Sequence, residues 1–257
     1  MRLAVAEQDL KSLVDGLDFA QKVDRSLALI RKAYEEFGDK LVVAHSMGKD
    51  SIVTWDLVKR VSPDIRGFVV ATRFWPQETI EFMHQMISLY PELQVFTNNA
   101  LIPNNLYETD PDCCCDILKV QPTRRGIEEM GVECWVTGLR CTEGRTRTDF
   151  QEIEERDEGL IKLNPILIWL EREIWQYLAV YNVPVNPLYR KGYRSLGCLP
   201  CTHIAAGPDE RAGRWLGTSK CGGECGIHTR PLKSNHQGHE RYNIHEAELG
   251  RTPVTDR

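Results

Sequence analysis

At 257 residues, 42% hydrophobic and 27% charged, the chain has the length of one large domain, or one domain with an appendage, and a globular composition that excludes disorder and a fibrous fold. No apolar run approaches the ~18 residues of a membrane span, and the opening MRLAVAEQDLKSLVDGLD turns acidic too early for a signal peptide, so a cytoplasmic protein is expected. A net charge of −5 argues against a broad nucleic-acid-binding surface and leaves room for a local anion site.

In chain order, the first forty residues read as two helical segments, the second running through DRSLALIRKAYEEFG and closing at Gly38. KLVVAHS then reads as a buried strand, SMGKDS as a tight loop and SIVTWDLVKRV as the helix after it. GFVVAT and LQVFT repeat the strand signal around the helix ETIEFMHQMISLY, and ECWVTG supplies a fourth strand. Alternating β and α over the first 140 residues builds a parallel sheet covered by helices, an α/β class. Beyond residue 150 the pattern becomes irregular. EIEERDEG reads as a solvated acidic stretch, and LEREIWQYLAVYN as an amphipathic helix ended by Pro184. Glycines, charges and histidines dominate from Gly207, so the expected organisation is a domain over 1–206 and a partly mobile segment over 207–257 with little core of its own.

The first strand delivers Ser46, Met47, Gly48, Lys49, Asp50 and Ser51 to the carboxyl edge of the sheet, where ligands of open parallel sheets sit. Small residues let backbone N–H groups approach an anion, the following helix offers its positive end, and Lys49 adds a mobile charge. The competing reading is a plain capped helix start. SMGKDS resembles the SGGKDS loop of the adenine nucleotide alpha hydrolase superfamily. That resemblance implies a three-layer parallel-sheet (PP-loop) fold and an adenine nucleotide near Ser46, Gly48, Lys49, Asp50 and Ser51.

Nine cysteines in a chain with no export signal point to metal or redox chemistry more than to a disulfide framework. Cys113, Cys114 and Cys115 are consecutive, and Cys198 and Cys201 form a CxxC. Zinc generally uses two spaced knuckles, whereas adjacent cysteines plus a CxxC suit a cubane whose four irons each take one thiolate; zinc and chance clustering are the alternatives.

CCDILKVQP, WVTGLR, NPLYRKGYRSLGCLPCT, GRWLG and ECGIH occur in this order. From about Lys40 to His228 they resemble the adenylyl-sulfate reductase branch of the phosphoadenylyl-sulfate reductase family. The resemblance implies a [4Fe-4S] cluster on Cys114, Cys115, Cys198 and Cys201, with Cys113 the extra thiol and a one-residue shift left open. It also implies a catalytic Cys225 in ECGIH with His228 nearby, Lys119 between cluster and substrate, Arg140 entering the site after its strand, and Arg211 and Arg214 clamping the anion. Arginine suits sulfate and phosphate because its planar fork donates two hydrogen bonds to one oxyanion. The implied activity is reduction of adenylyl sulfate, or of its 3'-phosphorylated form, through an enzyme S-sulfonate resolved by thioredoxin or glutaredoxin. A homo-oligomer is the remaining expectation.

Three features depart from the family's pattern. SMGKDS keeps its lysine, which makes an ATP-cleaving enzyme that activates a nucleic acid or small molecule for sulfur insertion the competing function. VVATRFWPQET lacks the Asp of the usual Asp-Thr-Gly, although Glu78 and Thr79 remain. KCGGECGIH adds Cys221, a candidate resolving thiol or an incidental one. An iron–sulfur redox sensor is a third reading, which leaves ECGIH and the arginines without a task. His236, His239 and His245 lie in a polar tail and read as solvated.

Overall fold

The computed structural model describes residues 9–144, 147–156, 159–204, 206–207, 209–220, 223–230 and 232–233. Helix α1 (Leu10–Gly16) is capped by Asp9. Helix α2 (Phe19–Phe37) starts in a reciprocal Asp18/Gln21 capping box and stops where Gly38 takes a φ of 54°. Then follow β1 (Leu41–His45), α3 (Lys49–Val61), β2 (Arg66–Val70), α4 (Gln77–Leu89) and β3 (Leu93–Phe96). Two short helices, α5 (Leu106–Thr109) and α6 (Pro111–Cys115), lead through a π-helical turn at Asp116–Val120 into α7 (Gln121–Glu129). Strands β4 (Cys134–Val136), β5 (Ile153–Glu155) and β6 (Ile161–Leu163) precede α8 (Glu171–Val180) and a last turn of helix, α9 (Gly226–Thr229).

The six strands lie in the order β3-β2-β1-β4-β6-β5, parallel except for β5. The four expected strands are β1 to β4. Strand order reverses between β1 and β4, so their following loops diverge and open a crevice at the carboxyl edge. On one face α2, α3 and α8 bury Ile30, Trp55, Leu57, Ile174 and Tyr177; on the other, α7 covers Phe68, Phe96 and Trp135, giving three layers. Among the described residues no helix is long and apolar enough to cross a membrane.

Two sequence expectations change. The acidic stretch read as solvated contains β5, whose Glu154 faces Lys162 across an antiparallel pair and binds its Nζ at 3.2 Å. Charge that looks solvated in sequence is therefore paired within the sheet. The stretch after residue 207, expected to be partly mobile, has its described part fastened to the body. Thr202 and Arg214 form an antiparallel bridge, Trp215 donates its N–H to the Cys201 carbonyl at 2.9 Å, and the Trp215 ring is 1% exposed in the main core.

Candidate active site

The crevice is lined mainly by the β1–α3 loop, the ends of β2 and β4, the π-helical turn that carries Lys119, and the chain from Tyr189 onward. Met47 holds the loop in the left-handed region at φ 61°, where the resembling SGGKDS pattern has glycine. Its side chain is fully buried, and burial offsets the backbone cost of about 1–2 kcal/mol. Ser46 places its backbone N–H 3.2 Å and its hydroxyl 3.1 Å from Ser51 Oγ, closing the turn. The chain leaving β4 passes so near α3 that a Cβ on Gly138 would lie 2.8 Å from the Ser51 nitrogen, which is why WVTGLR needs glycine there.

Ser46, Gly48, Asp50 and Ser51 line the crevice together with Lys119, Arg211, Arg214, Cys225 and His228. Lys49 and Arg140, expected there, lie beneath it. Both are 0% exposed; Lys49 Nζ is 2.9 Å from Glu210 and 3.5 Å from Asp50, and Arg140 binds Asp50 and Glu210 at 2.6 Å each. Burial disfavours each charge, but these carboxylates outweigh it and hold both pKa values above their ordinary values. Even the first N–H of α3 is occupied, donated by Lys49 to the Tyr189 hydroxyl at 2.7 Å.

The opposite wall carries charge differently. Arg214 Nη1 donates to Thr202 Oγ1 at 2.5 Å, its Nε is buried without a partner, and among the described residues it meets no carboxylate. Gly197 makes room for it: a Cβ there would stand 1.8 Å from Arg214 Nη1. Lys119 likewise has no carboxylate partner among the described residues. Burial lowers its pKa, yet the thiols of Cys198, Cys225 and Cys115 raise it overall. Two cations, Arg214 buried and Lys119 half-buried, thus face the crevice without a carboxylate among the described residues, an arrangement that burial penalises unless an anion joins them.

Cys225 lines the same crevice. Its N–H donates to Glu224 Oε1 at 2.8 Å, and Glu224 is gripped by Arg147 through two nitrogens at 2.7 and 3.0 Å and by Arg211 at 3.1 Å. Arg147 also binds Glu143, whose carboxyl burial would raise but Arg147, Arg140 and Arg211 depress to about 2. His228 stacks on Trp135 at 5.9 Å with planes 11° apart, and burial keeps its pKa well below the usual value, so it is neutral. Glu143, Arg147, Tyr189, Glu210 and Glu224 escaped sequence reasoning as site residues. Glu224 alone had a local signal, its place beside Cys225 in ECGIH.

A second, smaller cavity adjoins the crevice, and Lys119 and Trp215 belong to the walls of both. Cys114, Cys115, Cys198 and Cys201 ring it, walled by Phe74, Tyr107 and Leu118. Consecutive helical residues point about 100° apart; Cys113 does not line this cavity and packs in the apolar cluster of Ile102 and Leu106, which Cys114 also joins. The Thr72 hydroxyl lies 3.2 Å from Cys198 Sγ. Burial, with neighbouring thiolates adding to it, pushes the Cys114 thiol up to about 12, and burial pushes Cys115 to about 11. Burial raises the Cys201 thiol as well, so thiols that resist ionisation line the ring beside Lys119. Cys221, His236, His239 and His245 lie outside the described residues.

Residues 40–204 match the model of the phosphoadenosine phosphosulfate reductase domain. The chain is 36% identical to an adenosine 5'-phosphosulfate reductase of Halalkalibacterium halodurans over 86% of this chain and 99% of that protein. It is 34% identical to a phosphoadenosine 5'-phosphosulfate reductase of Gloeobacter violaceus over 78% of this chain and 87% of that one. Among solved structures, the phosphoadenylyl-sulfate reductase of Candida auris, a phosphate complex, superposes with a TM-score of 0.62 at 21% identity, covering 78% of this chain and 99% of that one. The FMN adenylyltransferase of Candida glabrata follows at 0.58 and 16%, covering 78% and 69%; both likenesses speak to the fold alone.

Proposed function

The chain belongs to the phosphoadenosine phosphosulfate reductase family, a family of sulfonucleotide reductases, and from that premise we propose that it reduces adenylyl sulfate to sulfite and AMP by way of Cys225. The observation that carries this reading is the pair of cations without a carboxylate partner among the described residues, half-buried Lys119 and buried Arg214, lining with Cys225 a crevice at the switch point of the sheet. The phosphosulfate supplies the missing anion, and the cations neutralise the departing AMP.

The Cys225 thiolate attacks the sulfuryl sulfur. A sulfur–sulfur bond forms, the bond from sulfur to the bridging oxygen breaks, and AMP leaves with that electron pair. The resulting S-sulfonate is then attacked at Cys225 Sγ by a dithiol of the thioredoxin or glutaredoxin kind. Sulfite departs with the electron pair, and the reductant's second thiol frees Cys225 as the reductant closes its own disulfide. Glu224 holds the Cys225 backbone, and Trp135 and neutral His228 wall the site away from water.

Cys114, Cys115, Cys198 and Cys201 would hold a [4Fe-4S] cluster. The donor set fits: four thiols from two stretches of chain ring one cavity. A cubane takes one thiolate per iron, and adjacent cysteines plus a CxxC suit it better than they suit tetrahedral zinc. When bound, the cluster supplies a fixed electron-rich body beside Lys119. The reading is tested by incubating anaerobically purified, iron-loaded protein with thioredoxin and either sulfonucleotide and measuring sulfite and AMP. Turnover of adenylyl sulfate in preference to its 3'-phosphorylated form supports it, and no sulfite from either contradicts it.

A further inference from the structure

The lysine of the β1–α3 loop should be the cation most available to a nucleotide phosphate, yet it is the most thoroughly neutralised one in the crevice region. Lys49 Nζ is 2.9 Å from Glu210 Oε2, 3.5 Å from Asp50 Oδ2 and 3.9 Å from Glu171 Oε1, and it donates to the Arg194 carbonyl at 2.8 Å. The same Glu210 oxygen lies 2.6 Å from Arg140 Nη2, and Asp50 Oδ1 lies 2.6 Å from Arg140 Nε. Glu171 is also held by Arg194 at 2.5 Å, so three cations meet three carboxylates and the loop lysine has no charge left over for a ligand.

Glu210 comes from the far end of the chain, and its side chain reaches the loop only because the Thr202–Arg214 bridge and the buried Trp215 fasten that segment down. On the other wall, Lys119 and Arg214 have no carboxylate among the described residues. An anionic tail entering the crevice is drawn to that wall. At the loop it would have to displace Glu210 from two buried cations and leave a carboxylate unpaired, which costs more than the new contact returns.

We propose that Glu210 is a specificity-determining residue: a built-in counter-ion that withholds Lys49 from the β- and γ-phosphates of ATP and leaves the crevice to nucleotides whose tail is met by Lys119 and Arg214. The lysine retained in SMGKDS is then a structural member of a buried ion network. This rests on the crevice being an adenine-nucleotide site, and AMP serves as the control for that reading.

The test measures calorimetric Kd values for AMP and ATP on the anaerobic, iron-loaded protein and on Glu210→Gln, Lys49→Met and the double variant, with a melting curve for each. The wild type binds ATP no more tightly than AMP, and Lys49→Met leaves that ratio unchanged. Glu210→Gln frees a charge-assisted contact and improves ATP relative to AMP by about tenfold, and adding Lys49→Met removes the gain. If Glu210→Gln does not fold, Glu210→Asp, which keeps the charge balance but retracts the carboxylate by one methylene, gives a smaller gain in the same direction. An unchanged ratio in every folded Glu210 variant overturns the proposal. So does a wild type that prefers ATP and loses the preference with Lys49→Met. Failure of the wild type to bind AMP at all overturns the nucleotide reading, and this inference with it.

Discussion

A single missing Cβ decides where the uncompensated guanidinium of Arg214 points. With alanine at 197, the added carbon would stand 1.8 Å from Nη1 and 2.6 Å from Nη2, and the group in its way is the far end of a long side chain. The side chain swings aside at little cost to the fold but abandons its 2.5 Å bond to Thr202 and its place in the crevice. Gly197→Ala is therefore expected to keep the iron content and the melting temperature while raising KM for the sulfonucleotide by about tenfold, the worth of one charge-assisted contact. A lowered melting temperature with unchanged KM would show that the glycine serves the loop and not the arginine. The need for a glycine before the CxxC was not legible in GCLPC, because its reason lies in a side chain seventeen positions downstream. The choice of Cys114 and Cys115 over Cys113 was reached only through the resemblance, since it depends on how α6 is rotated towards Cys198 and Cys201.

At the scale of elements, the strand–loop–helix unit from β1 to α3 was legible because its signals are local: a β-branched run, small residues in the turn, and apolar spacing after it. Strands β5 and β6 are three residues each, and IEE shows no alternation of its own; pairing with IKL makes it a strand. The contacts that dock α9 were equally hidden, since Glu224 meets Arg147 seventy-seven positions away. That docking titrates. Glu143 has its pKa depressed from 4.5 to about 2 by Arg147, Arg140 and Arg211, against burial. The unfolded chain therefore binds the proton more readily, and the stability Glu143 contributes is complete above pH 4.5 and lost as the pH falls from there towards 2. Urea unfolding of the wild type should lose stability over that interval, and Glu143→Gln, which has no carboxyl to protonate, should lose less. Parallel slopes for the two proteins would remove Glu143 from the account.

Over the whole molecule, the thiol-ringed cavity joins two distant stretches of chain, α6 and the turn at 198–201, and both press on the crevice through Lys119 and Trp215. Binding of the proposed cluster there would be coupled to folding, so Cys198→Ala should lose its iron, its colour and much of its folded yield together. Zinc at one equivalent in anaerobically prepared wild type, with no iron, would contradict the cluster. Cys225 does not line that cavity, so the chemistry proposed for it is separable from the proposed cluster. The most direct measurement is mass spectrometry of the iron-loaded protein mixed with adenylyl sulfate and no reductant, followed by digestion under conditions that preserve S-sulfonates. The expected result is one SO3 adduct on Cys225, matched by one equivalent of AMP, and none in a Cys225→Ser variant that still carries its iron. An adduct on Cys221 in place of Cys225, or sulfite released by the Cys225→Ser variant once thioredoxin is added, would contradict the account.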